Sequence, residues 1–95
     1  MAWSEARKKR EFSDHLCKLV NNRLATDPDF SVGDVAGKSG LPKQTIAAFQ
    51  VGRSLPTLEQ LNALALAFDL SLEEFLPGEL GNEMLLTENL DPISF

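Results

Sequence analysis

The sequence is poor in the residues that form covalent or metal cross-links. Its 95 residues include one cysteine, Cys17, and one histidine, His15, so an internal disulfide bond cannot form. A structural zinc site takes four ligands, mostly cysteine and histidine, which this pair cannot supply. The fold must therefore depend on a hydrophobic core, and a chain of this length can bury one modest core. This composition suits a reducing compartment.

Long apolar runs are also missing from the chain. No stretch approaches the ~20 consecutive apolar residues that span a bilayer. The basic cluster at residues 7–10 is not followed by the apolar segment of a secretory signal. We therefore expect a soluble, cytoplasmic protein with no membrane partner.

Residue groups that would indicate an enzyme are missing as well. The sequence contains no phosphate-binding glycine loop, no pair of catalytic carboxylates and no set of metal ligands. His15 and Cys17 are two residues apart on a predicted helix, so their side chains do not face each other as a nucleophile and base would. We expect no enzymatic activity, no metal and no cofactor.

Positive charge is missing from the C-terminal part of the chain. All nine Lys and Arg residues lie at or before Arg53, whereas residues 58–95 contain eight acidic residues and no Lys or Arg. Residues 1–57 include six acidic residues, so this part is net +3 and the remainder −8, within a total of −5. The asymmetry predicts that one end of the protein faces a polyanion and the other end points away from it.

Helical periodicity is strong and strand signals are weak, which predicts an all-α fold. The first helix should begin between Ser4 and Glu11 and end near Ala25, since Pro28 disfavours helix in the residue before it. Apolar residues recur at every third or fourth position of this helix and should form one buried stripe. The stripe consists of Phe12, Leu16, Leu19, Val20 and Leu24.

Two short helices with a tight turn between them are predicted from Ser31 to Gly52. Ser31 caps the first of them, with Asp34 in its first turn, and Gly40 ends it because glycine takes the left-handed conformation at little cost. Pro42 starts the second, over residues 42–51. Two short helices joined by a glycine-containing turn form a helix-turn-helix motif, whose second helix can enter the major groove of DNA.

Two further helices follow the motif. Thr57 caps a fourth helix, and Ser71 forms a capping box with Glu74 at the start of a fifth. The fifth helix should end at residues 77–78, where proline is followed by glycine. The remaining residues, 79–95, mix acidic with large apolar side chains and are too apolar for a purely solubilising tail.

Five stretches of the sequence carry a family resemblance. They are Val35-Ala36, Gly40-Leu41, Gln44-Thr45-Ile46, Gly52-Arg53-Ser54-Leu55-Pro56-Thr57-Leu58 and residues 64–76. On these stretches the chain resembles the lambda-repressor/Cro-like, or XRE-type, family of bacterial and phage regulators, over about Phe12 to Leu76. The resemblance implies a five-helix DNA-binding domain. It also implies a transcriptional regulator that binds double-stranded DNA as a homodimer at near-palindromic sites.

Three departures from the family pattern stand out. The family often has glutamine at the position after Ser31, where this chain has Val32, and asparagine before the glycine, where it has Val51. The connector between the first two helices, around Thr26–Phe30, is longer than usual. The first two departures remove individual phosphate contacts, and the third is a local elaboration.

The resemblance places the DNA-reading residues on the first turns of the third helix. Lys43 could contact guanine or a phosphate, Gln44 could pair with adenine, and Thr45 could reach a base or a phosphate. Ala48 could at most pack on a thymine methyl group, so direct readout is sparse and DNA shape contributes. The predicted phosphate contacts, which position the protein without specifying sequence, are Lys38, Arg53 and Ser54. Ser31 is a further predicted DNA-binding residue.

This interpretation divides the chain into three parts. Residues 1–11 are a basic N-terminal extension of the first helix, residues 12–77 the DNA-binding domain, and residues 78–95 an acidic-apolar tail for dimerisation or a protein partner. The cluster at residues 7–10 either grips the DNA backbone or is a solvated helix face. The expected function is a repressor, with autoregulation as one option. An antitoxin of a toxin–antitoxin pair and a protein-interaction module that has lost DNA binding remain alternatives.

Overall fold

The computed structural model describes residues 3–89, and this part of the chain is helical throughout, without strands. The helices are α1 Glu5–Thr26, α2 Val32–Ser39, α3 Lys43–Gln50, α4 Leu58–Ala67, α5 Leu72–Phe75 and α6 Gly78–Asn89. The predicted all-α class and its first five helices are confirmed. A sixth helix, α6, forms at the start of the segment 78–95 that was predicted to be a tail. No helix in the described range combines the length and the apolar character needed to cross a membrane.

Side-chain caps determine where most of the helices begin. The Ser4 hydroxyl accepts a hydrogen bond from a backbone N–H in the first turn of α1. Ser31, Thr57 and Ser71 start α2, α4 and α5 with reciprocal capping boxes, in which cap and third helical residue satisfy each other's backbone N–H groups. These hydrogen bonds satisfy donors that a helix start leaves without partners, so the boundaries follow from local sequence.

The turn of the helix-turn-helix depends on one glycine. Gly40 has φ 79° and ψ 7°, in the left-handed region, and its N–H donates to the Ala36 carbonyl oxygen at 2.9 Å. This closes α2 as the sequence predicted. Pro42 then precedes α3 as its N-cap, so the helix proper begins one residue later, at Lys43.

A chain of phenylalanine rings forms the centre of the core. Phe12 of α1 meets Phe49 of α3 and Phe75 of α5 edge-on, with ring centroids 6.0 and 6.2 Å apart. Phe75 stacks on Phe68 at 6.0 Å, and Phe68 lies tilted against Phe30 at 5.8 Å. The rings therefore connect α1, α3, α5, the end of α4 and the connector before α2 into a single core.

The predicted stripe of α1 is only partly buried. Phe12, Leu16 and Val20 lie in the core, but Leu24, which was expected there, is 37% exposed. The core at this end is filled instead by Phe30, which is 5% exposed and has the Arg23 guanidinium over its ring at 5.5 Å. The long connector thus supplies the core residue that the last turn of α1 does not.

Side chains of α1 also cap the ends of other helices. His15 Nε2 donates to the Phe75 carbonyl oxygen, at the last residue of α5, over 2.6 Å. Arg23 donates to the Phe68 carbonyl oxygen at 3.5 Å and pairs with Asp69 at 3.4 Å, just beyond α4. Because the last carbonyl groups of a helix have no partner within it, these side chains hold α4 and α5 on α1.

The sixth helix packs against α1 and completes the core. Met84 is 5% exposed, and Leu80 and Leu85 are partly buried against the same core. The chain just before α1 also contacts α6, because the Trp3 backbone N–H donates to Glu83 Oε1 at 2.8 Å. The first part of the predicted tail therefore uses its apolar residues within the same chain, and residues 90–95 of that predicted tail lie outside the described residues.

One glycine sets how closely α6 approaches the end of α5. Gly81 is buried, and a Cβ atom built on it would lie 2.1 Å from the Leu76 carbonyl oxygen. No side chain fits in that space unless the backbone moves. The position of α6 thus requires glycine at this residue.

Candidate nucleic-acid interface

The third helix has one buried face and one open face. Ile46 and Phe49 are buried in the core, which turns the opposite side of α3 outward. This open side forms a shallow concavity together with the residues that follow the helix. The residues that line it are Gln44, Ala47, Ala48, Val51 and Arg53.

Three of the predicted DNA-binding residues meet in this concavity, which we call the α3 face. Gln44 supplies an amide, Arg53 a guanidinium, and Ala48 part of an apolar floor. An amide suits the paired donor and acceptor of adenine, and a guanidinium suits guanine or phosphate. The apolar floor suits the thymine methyl group. The α3 face thus combines the chemistry for base edges in the major groove with a positive charge at its rim.

Lys43 and Ser31 form a second group at the start of α2. A Cβ atom built on Gly33 would lie 3.3 Å from both Lys43 Cε and Ser31 Oγ, and 3.5 Å from Lys43 Nζ. The ammonium group and the hydroxyl group therefore flank the N-terminus of α2, where backbone N–H groups favour an anion. Asp34 accepts a hydrogen bond from Ser31 N at 2.9 Å and offsets part of that positive potential. The geometry favours a phosphate, rather than a base, as the Lys43 partner.

The other three predicted residues lie outside both groups. Lys38 is exposed in the last turn of α2, Thr45 is half-buried on α3, and Ser54 is half-buried in the connector before α4. Each keeps some access to solvent. Within residues 3–89, no three metal-binding side chains come together in a way that could hold an ion.

The C-terminal end of α3 is fixed to α1 by two side chains that sequence reasoning did not assign. Ser13 Oγ and Cys17 Sγ both donate to the Gln50 carbonyl oxygen, the Sγ over 3.7 Å. Gly52 follows with φ 74°, and a Cβ atom there would lie 3.6 Å from the Lys9 carbonyl oxygen. The two residues lie one helical turn apart on α1, but no sequence pattern links them to α3. Their hydrogen bonds hold the end of α3 against α1.

Comparison with known proteins identifies the type of domain. A family model described as helix-turn-helix, of the XRE or lambda-repressor-like type, matches residues 28–75, just over half of the chain. The chain belongs to this helix-turn-helix family. The match covers α2 to α5, which includes the α3 face and the group at the start of α2. No curated protein and no solved structure matches the chain.

Membership of the helix-turn-helix family establishes the general activity. The family is a DNA-binding regulatory family and not an enzyme family, so the predictions of DNA binding and of a non-enzymatic function are confirmed. The helix-turn-helix protein departs from the family pattern at two places in the site. The Val32 side chain is partly buried against the core and offers no hydrogen bond to a phosphate, whereas Val51 is 68% exposed at the edge of the α3 face.

Proposed function

We propose that this helix-turn-helix protein is a sequence-specific transcriptional repressor that reads DNA with the α3 face. The observation that carries the proposal is the outward concavity of α3, where Gln44 and Arg53 flank a floor of alanines. Repression would follow from occupancy alone, because a protein seated in the major groove at a promoter excludes polymerase. The same mechanism allows the protein to regulate its own gene.

The side chains of the α3 face have separate roles in this proposal. Gln44 makes paired hydrogen bonds to adenine, for which about 1–3 kcal/mol of discrimination is typical. Ala47 and Ala48 let the helix approach closely and contact thymine methyl groups. Arg53 lies beyond the helix and neutralises a phosphate at the edge of the groove.

Contacts with the DNA backbone orient the helix. We assign Lys43 and Ser31, at the start of α2, to one phosphate, with Lys38 and Ser54 as further backbone contacts. Residues 35–58, which include α3, contain Lys38, Lys43 and Arg53 and no acidic residue. Approach with α3 towards the duplex is therefore the electrostatically favoured orientation.

Binding to a selected duplex tests this function. Fluorescence anisotropy against DNA chosen from a random pool should show tight, salt-sensitive binding that a scrambled duplex does not match. Gln44→Ala should weaken binding to the selected duplex by about 5- to 100-fold and leave the scrambled duplex unaffected. Asn62→Ala, an exposed change on α4, is the control and should behave as wild type. Failure to enrich any sequence would contradict the proposal and favour a protein-interaction module.

We also propose that the protein acts as a dimer on a near-palindromic site. Two copies of α3 would then enter successive major grooves about 34 Å apart. Leu66, on α4, is 71% exposed and is available for a contact between copies. Light scattering with the selected duplex should give two chains per duplex. One chain per duplex, with a non-palindromic selected sequence, would contradict the dimer while leaving sequence-specific binding intact.

A further inference from the structure

The basic residues of the cluster on α1 have different surroundings. The Arg7 guanidinium lies over the Trp3 ring at 4.4 Å and 3.8 Å from the Glu11 carboxylate. Arg7 is thus engaged with Glu11 of its own helix and with Trp3 just before it. Lys9 and Arg10 instead line a concave surface that continues onto the end of α3.

This second concavity lies beside the anchored end of α3. Lys9 and Arg10 share it with Ser13 of α1 and with Val51 and Gly52, which follow α3. Gly52 lies next to the Lys9 carbonyl group, and the Ser13 and Cys17 hydrogen bonds to the Gln50 carbonyl oxygen hold the end of α3 on α1. The two cations are therefore held by the fold at a defined distance from α3 and do not belong to a separate arm.

The two concavities share one lining residue. Val51 lines both the α3 face and the surface with Lys9 and Arg10. A duplex whose major groove received α3 would bring the phosphates that border the groove past Val51, because the groove is only about 12 Å wide. Arg53, Lys9 and Arg10 together would then face one stretch of phosphate backbone, which carries a charge every ~3.4 Å along each strand.

We propose that Lys9 and Arg10 form a second backbone-binding site, which contacts DNA phosphates next to the C-terminal end of α3. The proposal rests on the proposed function, since it uses the same docking of α3. Both residues lie outside residues 28–75, so the family match does not imply it. Glu5 lines the same surface and repels phosphate, so it lowers the affinity of the site.

The salt dependence of binding tests the site. The binding constant K decreases with salt, so the slope of log K against log salt concentration is negative. In Lys9→Ala/Arg10→Ala this slope should become shallower by about 1.8, which corresponds to two lost phosphate contacts. Affinity should drop by about 10- to 100-fold equally on selected and scrambled duplexes, because phosphate contacts carry no sequence information. Circular dichroism would verify that α1 stays helical in the variant.

Two further variants separate a specific site from general charge. Arg7→Ala removes one charge from the same helix, at a residue that lies over Trp3 and does not line the concavity. The double variant should change the salt slope by about 0.9 for each residue replaced, and Arg7→Ala should change it by less than half of that value. Glu5→Gln removes repulsion within the site and should raise affinity on both duplexes. A gain in affinity from Glu5→Gln, together with only a small effect of Arg7→Ala, is the combination expected if phosphates lie at this surface.

The outcomes distinguish this proposal from the proposed function. An unchanged slope in Lys9→Ala/Arg10→Ala, with normal wild-type binding, would overturn the second site alone. The second site would also be overturned if Arg7→Ala made the salt slope shallower by as much as each residue of the double variant does. A wild-type protein that binds no duplex would overturn the proposed function, and the second site with it.

Discussion

Replacing Phe12 with alanine should lower the free energy of unfolding by about 3–5 kcal/mol. The side chain is fully buried and meets both Phe49 and Phe75 edge-on. Its removal leaves a cavity where α1, α3 and α5 converge, and both aromatic contacts are lost as well. Because rigid elements surround the site on several sides, little of the cavity can collapse.

Thermal and urea unfolding would measure this loss. For a domain of this size, each kcal/mol corresponds to about 4–8 °C, so the Tm should fall by about 12 °C or more. Leu24→Ala is the matched control, since it truncates a large apolar side chain of the same helix that is 37% exposed. The control should cost less than about 1 kcal/mol. Equal losses in the two variants would contradict the placement of Phe12 at the centre of the core.

Replacing Gly81 with alanine should detach α6 from the rest of the domain. The new Cβ atom would meet the Leu76 carbonyl oxygen, a backbone atom that cannot rotate away. The start of α6 must shift, and Met84 then loses its buried position against the core. We expect a loss of about 1–3 kcal/mol, as for an overpacked core site. Hydrogen exchange should show faster exchange in α6 before α2–α4 is affected.

An exposed helical glycine provides the control for this substitution. Gly37 lies within α2, and a Cβ atom there would have no heavy atom within 4 Å apart from its chain neighbours and the backbone of its own helix. Gly37→Ala should therefore stabilise the protein by up to about 1 kcal/mol, because alanine favours a helix over glycine. The two substitutions are chemically identical, so opposite signs would locate the effect in the packing. A Gly81→Ala protein as stable as wild type would contradict the close approach of α6.

Local signals in the sequence were sufficient for most of the fold. Ser31, Thr57 and Ser71 cap helices through side-chain hydrogen bonds that span only three residues, and such contacts can be read from spacing alone. Gly40 ends α2 by its own backbone conformation. The motif and its family were therefore predictable without knowledge of tertiary contacts.

Elements that depend on distant contacts were not predictable in this way. α6 contains Gly78 and Gly81, and glycine disfavours a helix in isolation. Its burial against α1 offsets that low propensity. Phe30 was taken as part of an irregular connector, although it fills the core beside Phe68.

In the candidate site, too, local features were predictable from the sequence and long-range contacts were not. The side chains of Gln44 and Arg53 were predictable because the motif specifies which residues follow the turn. The roles of Ser13 and Cys17 were not, because their shared acceptor, the Gln50 carbonyl oxygen, lies more than thirty residues along the chain. The orientation of α3 is thus a tertiary property.

The dependence of α1 on late parts of the chain affects how the protein is made. Helix α1 leaves the ribosome first, but Phe12 and His15 find their partner in Phe75. At a synthesis rate of about 5–20 residues per second, the intervening segment takes roughly 3–13 s to appear. During that time the apolar stripe of the nascent helix is uncovered, which makes it a target for chaperones in the cell.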